Sequence, residues 1–188
     1  MLISQYIQIY ENALPFEMCD KIIKLFDESP NVTEDKEVLD DGLNVRNCLE
    51  LNVSKEPGFE DIQAVMMKIT ELAVGKYQAE LPIRTFPKEI GCETFRVKKY
   101  RSSGEFNDHF SYHVDVNSHS SARRYLALVW YLNDVEQGGE TFFPHPNVRV
   151  KPRKGRLLMF PSLWMYPHSA ERPVSEDKLA LVTYLHYL

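Results

Sequence analysis

After Pro82 and Pro87 the sequence changes character, and from there to the C-terminus it runs in short β-branched and aromatic segments separated by Gly and Pro. Such a texture leaves no room for long helices and reads as sheet. Alternation and turn residues predict strands over Glu93 to Tyr100, Tyr112 to Val116, Tyr125 to Leu132, Thr141 to Phe143, Val148 to Val150, Arg156 to Phe160 and Leu179 to Tyr187. Short antiparallel strands in two facing sheets give a jelly roll, or double-stranded β-helix of cupin-like form, with an enclosed interior.

The N-terminal half reads differently. Ile3 to Tyr10 alternates apolar and polar residues like a half-buried strand. Phe16 to Ser29 predicts a helix, with Phe16, Cys19, Ile22, Ile23 and Phe26 on one stripe, and Phe59 to Glu80 predicts a second, with Ile62, Val65, Met66, Ile69, Leu72 and Ala73 recurring on one face. Between them Asn31 to Asn44 is acidic and irregular, with Asp40-Asp41-Gly42 a turn. The expected class is α+β, mainly β with N-terminal helices: one domain over 1–188, in which 1–90 is a helical support region bracing the sheet and 91–188 is the jelly-roll core.

Length and charge narrow the function. A chain of 188 residues buries a single respectable core. A net charge of -5 and a pI near 5.7 argue against nucleic acid as a partner, since such binders carry a basic surface. Cys19, Cys48 and Cys92 are odd in number and widely spaced, which suggests reduced thiols rather than a disulfide framework or zinc site. Met1 to Tyr10 lacks the basic and apolar regions of a signal peptide, and no apolar run approaches membrane-spanning length. The expectation is a soluble, cytoplasmic protein with no membrane partner.

The chemistry centres on His113-Val114-Asp115. In a strand, residues two apart point the same way, so both side chains project into one cavity. A His-x-Asp triplet also arises by chance; its weight comes from the ordered segments that follow it and end in His168. Two imidazoles and one carboxylate suit a first-row divalent metal and leave coordination positions open for further ligands. His109, His119, His145 and His186 are assigned ordinary surface or core roles.

From about Glu93 to Tyr187 the sequence resembles the catalytic domain of the 2-oxoglutarate and iron(II)-dependent dioxygenases, in the prolyl 4-hydroxylase branch. The resemblance is carried by Tyr100 with Gly104, His113-Val114-Asp115, the segment Arg124 to Asn133, Gly138-Gly139-Glu140-Thr141, Lys151-Pro152 with Gly155-Arg156, Pro167-His168, and Lys178. It implies that His113, Asp115 and His168 hold Fe(II), that 2-oxoglutarate and O2 are cosubstrates, and that ascorbate serves as reductant.

By the same resemblance Lys178 anchors the far carboxylate of 2-oxoglutarate, a buried anion that requires a cationic partner. Tyr100 and Thr141 would donate hydroxyls to it, with Tyr112 the fallback for Tyr100. A lysine rather than an arginine at 178 resembles the collagen-type and the algal or plant enzymes. Arg124 and Tyr184 match positions that meet the peptide substrate, although the family commonly has tryptophan where this chain has Tyr184. The implied activity is hydroxylation of peptidyl proline with release of succinate and CO2, the partner being a peptide or protein containing proline. The alternatives are the same chemistry on another amino-acid side chain or a free amino acid, and a non-catalytic jelly-roll binding module.

Overall fold

Trp130, Phe95, Val97 and Leu181 lie at or near zero exposure where the sheet meets the two helices, and this contact organises the molecule. The computed structural model describes residues 3–81, 83 and 85–188; Met1, Leu2, Pro82 and Arg84, including the proline where the sequence changes texture, lie outside the described residues. In chain order the elements are β1 (Gln8–Tyr10), α1 (Phe16–Glu28), β2 (Thr33–Val38), β3 (Asn44–Asn52), α2 (Glu60–Glu80), β4 (Ile90–Cys92), β5 (Arg96–Tyr100), β6 (His109–His113), β7 (Arg124–Tyr131), β8 (Thr141–Phe143), β9 (Val148–Val150), β10 (Leu157–Pro161), β11 (His168–Ala170) and β12 (Lys178–Tyr187).

Hydrogen-bonded neighbours follow the order β1-β10-β7-β12-β5-β3-β6-β11-β8-β9, with β2 on β3 and β4 on β12. Every pairing is antiparallel, as the double-stranded β-helix requires. Both helices form where their apolar stripes predict. Cys19, Ile22 and Phe26 of α1 and Ile62, Met66 and Val74 of α2 are buried in one cluster with Val97, Leu128, Trp130 and Leu181 of the sheet. The other face of the sheet carries a smaller cluster, including Tyr131, Phe143, Phe160 and Ala180, which walls the interior of the roll.

Four expectations are corrected. Ile3 to Tyr10 is a 3-10 turn, Ile3–Tyr6, followed by the short strand β1. The acidic stretch expected to be irregular contains β2, which pairs residue by residue with β3 and turns at Asp40-Asp41-Gly42, where Gly42 has φ +83°. Polar residues conceal these strands because their partners are charged side chains across the ladder rather than a core. Residues 1–90 are therefore not only a helical support: β1, β2 and β3 join the sheet, and β3 lies between β5 and β6. The strand expected over Tyr112 to Val116 is β6, which ends at His113, so Asp115 lies in the bend beyond it.

Candidate metal centre and cosubstrate pocket

His113 and His168 are separated by half a jelly roll in sequence yet are direct cross-strand partners, β6 against β11. Opposed residues of an antiparallel pair share a face, and the two rings stand 4.3 Å apart between centroids. The bend after β6 returns Asp115 to them: Asp115 Oδ1 is 3.9 Å from His113 Nε2 and Oδ2 is 3.9 Å from His168 Nε2. One ligand atom from each residue lies within 4.8 Å of the other two, and no other His/Cys/Asp/Glu cluster among the described residues is so gathered.

The second nitrogen of each ring is already committed. His113 Nδ1 meets the Ser111 carbonyl at 2.7 Å and His168 Nδ1 the Tyr166 carbonyl at 3.1 Å. With Nδ1–H donating to a carbonyl, each Nε2 presents a lone pair to the cavity. Burial, and then the neighbouring His168, push the His113 pKa down to about 2, so this ring is neutral as a ligand must be. Asp115 Oδ2 is buried without a hydrogen-bond partner. An orphaned carboxylate oxygen facing two imidazole lone pairs is a donor set that fits Fe(II).

Inward from the triad, the pocket is lined by Tyr100, Val129, Thr141, Phe160, Lys178 and Val182 among others. Lys178 opens β12 opposite Tyr100 of β5 and is 2% exposed. Its ammonium lies 5.2 Å from the Tyr100 ring centroid and 5.6 Å from that of Tyr131. No carboxylate forms an ion pair with it among the described residues, and burial lowers its pKa to about 8. Thr141 Oγ1 accepts a hydrogen bond from the Tyr131 hydroxyl at 2.7 Å, so its own proton is free for an incoming acceptor. The pocket fits a dicarboxylic acid: donors wait at its depth and a metal triad at its mouth. Tyr112, the fallback, is 56% exposed and turned away from this pocket.

The turn that delivers Thr141 depends on Gly138 and Gly139, with φ of +73° and +76°. A Cβ on Gly138 would sit 2.4 Å from the Arg172 carbonyl oxygen, to which Gly139 N donates. Only glycine allows that approach.

Outward from the triad lies a second cavity of about 260 Å³, lined by Asp35, Arg46, Glu50, Lys98, Asn117 and Arg124 among others, and sharing His113, Asp115 and Tyr184 with the inner pocket. Lys98 bridges Asp35 of β2 and Glu50 of β3 at 2.7 and 2.8 Å. It thereby fastens the hairpin beside the mouth. Arg46 sits 5.0 Å over Phe110, which stacks on His113 at 3.4 Å and 8°.

The two residues assigned to substrate have other partners. Arg124 donates both sides of its fork to Glu93, at 2.6 and 2.8 Å, and reaches the Asp115 carbonyl at 3.3 Å. Tyr184 donates its hydroxyl to Asp115 Oδ1 at 2.9 Å. Desolvation and the adjacent carboxylate hold that phenol well above its usual range, so it remains a donor. Sequence reasoning missed Tyr131, Lys98, Phe110 and Glu93. Only Lys98 left a trace, standing two residues before Tyr100 and so on the same face of its strand.

The model of the 2OG-Fe(II) oxygenase superfamily matches residues 95–186, the segment that carries the triad, Lys178 and Thr141. This segment belongs to the 2OG-Fe(II) oxygenase superfamily. The chain is 28% identical over 171 residues to "Probable prolyl 4-hydroxylase 7" of Arabidopsis thaliana, covering 81% of this chain and 51% of that protein. It is 27% identical over 187 residues to "Probable prolyl 4-hydroxylase 3" of the same plant, covering 89% and 61%. The chain thus spans about half to three-fifths of the length of these curated relatives. The fold also matches the viral collagen prolyl hydroxylase of Paramecium Bursaria Chlorella virus-1, solved as a 2OG complex, with TM-score 0.71 at 18% identity over 97% of this chain and 96% of that one. It matches a Trichoplax adhaerens prolyl hydroxylase, solved with a hypoxia inducible factor peptide fragment, with TM-score 0.71 at 19% identity over 99% and 87%.

Proposed function

We propose that this chain is a 2-oxoglutarate- and Fe(II)-dependent dioxygenase that hydroxylates peptidyl proline and releases succinate and CO2, acting as a single domain over 1–188. The observation that carries this reading is the convergence of His113, Asp115 and His168 within 4.8 Å, at the mouth of a pocket that also holds the buried Lys178. Bound iron supplies the activation of O2 that oxidatively decarboxylates 2-oxoglutarate and oxidises an unactivated C–H bond.

The chain's own residues bind, orient and exclude water. Lys178 and the Thr141 hydroxyl meet the far carboxylate, with Tyr100 lining the same end. Val129, Phe160, Ala180 and Val182 give the pocket apolar walls, which strengthen the charge pairing at its depth. Tyr184 and Arg124 stand between the triad and the outer cavity, where the substrate residue would lie. Similarity to plant prolyl 4-hydroxylases supports proline as the target.

One observation favours a second reading, the same chemistry on another amino-acid side chain or a free amino acid: the Arg124 fork is held by Glu93 rather than left open to a peptide carbonyl. Ascorbate as reductant follows the iron reading, and a reducing, cytoplasmic location is supported by three free cysteines. No helix among the described residues is long and apolar enough to cross a membrane. The test is succinate release from prolyl peptides with Fe(II), ascorbate and 2-oxoglutarate, with mass spectrometry locating the added oxygen. Failure of a broad peptide library while free amino acids are turned over rejects the peptidyl target; absence of all turnover, unaltered by His113→Ala, rejects the enzyme.

A further inference from the structure

The carboxylate of Asp115 is unequally shared. Oδ1 accepts the Tyr184 hydroxyl at 2.9 Å, whereas Oδ2 is buried with no hydrogen-bond partner. Tyr184 is itself fixed from above: the Arg124 guanidinium lies 4.0 Å from its ring centroid. Arg124 is fixed in turn by the two hydrogen bonds it donates to Glu93 and also reaches the main-chain carbonyl of Asp115. Three of these residues come from separate places, Glu93 just after β4, Arg124 at the start of β7 and Tyr184 within β12, and they close on the bend that carries Asp115. Tyr184 pairs with Ala127 in the β12–β7 ladder, which fixes the face of the sheet on which its ring stands.

We infer that Glu93, Arg124 and Tyr184 form a tether that occupies Asp115 Oδ1 and leaves Oδ2 as the oxygen free of protein donors and open to the metal, which makes Tyr184 a positioning residue for the iron site rather than a contact for the substrate ring. The inference rests on the metal reading above. Its physical basis is that a carboxylate free to rotate offers either oxygen, or both, to a cation. A donor bound to one oxygen fixes the plane and leaves a single monodentate ligand, preserving open coordination positions on the other side. A phenylalanine or tryptophan at 184 would keep the Arg124 stacking and lose the hydroxyl.

The experiment uses Co(II) alone, without 2-oxoglutarate or peptide, and follows binding to the full chain by calorimetry and by the visible absorption of the bound ion. Tyr184→Phe is expected to weaken Co(II) binding by about 10-fold or more and to alter the absorption bands, as loss of a group orienting a metal ligand does. Affinity and spectrum matching wild type within about twofold overturn the tether. Glu93→Gln, which releases Arg124 without touching the triad, is expected to weaken binding in the same direction by a smaller factor. It decides the matter if Tyr184→Phe does not fold, an unchanged affinity overturning the tether. A substrate contact would instead raise KM for the peptide and leave Co(II) affinity untouched. Wild-type binding that is lost in His168→Ala but unaltered in Tyr184→Phe rejects the tether alone, whereas no binding by the wild-type chain rejects the metal centre and the tether together.

Discussion

Lys178 faces Tyr100 directly across β12 and β5, its ammonium 5.2 Å from the centre of the tyrosine ring and sealed from solvent. The charge is stabilised by two aromatic faces and by the more distant Glu140 and Glu171, with no carboxylate in ion-pair contact among the described residues, an incomplete arrangement that an incoming dianion completes.

Lys178→Met is therefore expected to act in opposite directions on stability and on binding. Removing a buried, unpaired charge leaves the denaturation midpoint of the ligand-free protein unchanged or higher. The same change raises the apparent KM for 2-oxoglutarate by about 10- to 100-fold, the worth of a charge-assisted hydrogen bond of roughly 1.5–3 kcal/mol. Steady-state kinetics and a urea melt on the same preparation check both. A variant less stable and normal in cosubstrate affinity would contradict the assignment.

The pH dependence has a definite sign. Burial lowers the Lys178 pKa from its ordinary 10.5 to about 8 in the folded chain. Between these values the unfolded chain binds more protons, so this group's contribution to stability rises with pH across that window, and the cost of the buried charge is fully present below it. Binding runs the other way: 2-oxoglutarate affinity declines as pH climbs above about 8, because the free protein loses the ammonium. Calorimetric titration from neutral pH into the alkaline range checks this, and Lys178→Arg should flatten the profile because guanidinium does not titrate there.

Metal binding should be visible without turnover. A divalent ion that binds only the folded chain stabilises it by about 2.7 kcal/mol at a hundred times its dissociation constant. Thermal melts with Co(II) or Mn(II) are expected to shift upward in wild type, and the shift should vanish in His113→Ala and His168→Ala. An equal shift in the variants would place the ion elsewhere.

Lys98 supplies a test of the hairpin over the mouth. Its removal leaves Asp35 and Glu50, each less than a quarter exposed, facing one another without their shared cation. Against the effect of burial, Lys98 holds both carboxyls below their usual range, so the stabilisation is present at neutral pH and lost as pH falls through those depressed values. In Lys98→Met, amide exchange over 33–52 should accelerate at neutral pH while α1 and α2 retain wild-type protection. Uniform exchange changes across the chain would show a global defect instead.

How much was legible depended on whether the signal was local. Helices α1 and α2 were legible because amphipathic spacing is set by contacts of one face with one core, and β8 and β9 because turn residues bracket them. The hairpin β2–β3 was illegible, since Asp35, Glu37, Arg46 and Glu50 look like solvated loop until Arg46 and Lys98 are seen between them. Asp108 was equally silent: it is fully buried and clamps Arg101 through three hydrogen bonds, closing the loop that precedes β6.

The sequence by itself determined the donor chemistry: two imidazoles, a carboxylate and a lone lysine in a fixed order, on a chain whose second half could only be sheet. Those are properties of residue type and spacing. Only the tertiary structure decided that His113 and His168 are cross-strand partners, that Lys178 lies sealed over two tyrosine rings, and that Arg124 and Tyr184 turn toward Asp115 and Glu93 rather than outward. Each of those facts depends on strand register between segments far apart in the chain. Register is fixed by the packing of the whole sheet, so no local pattern encodes it.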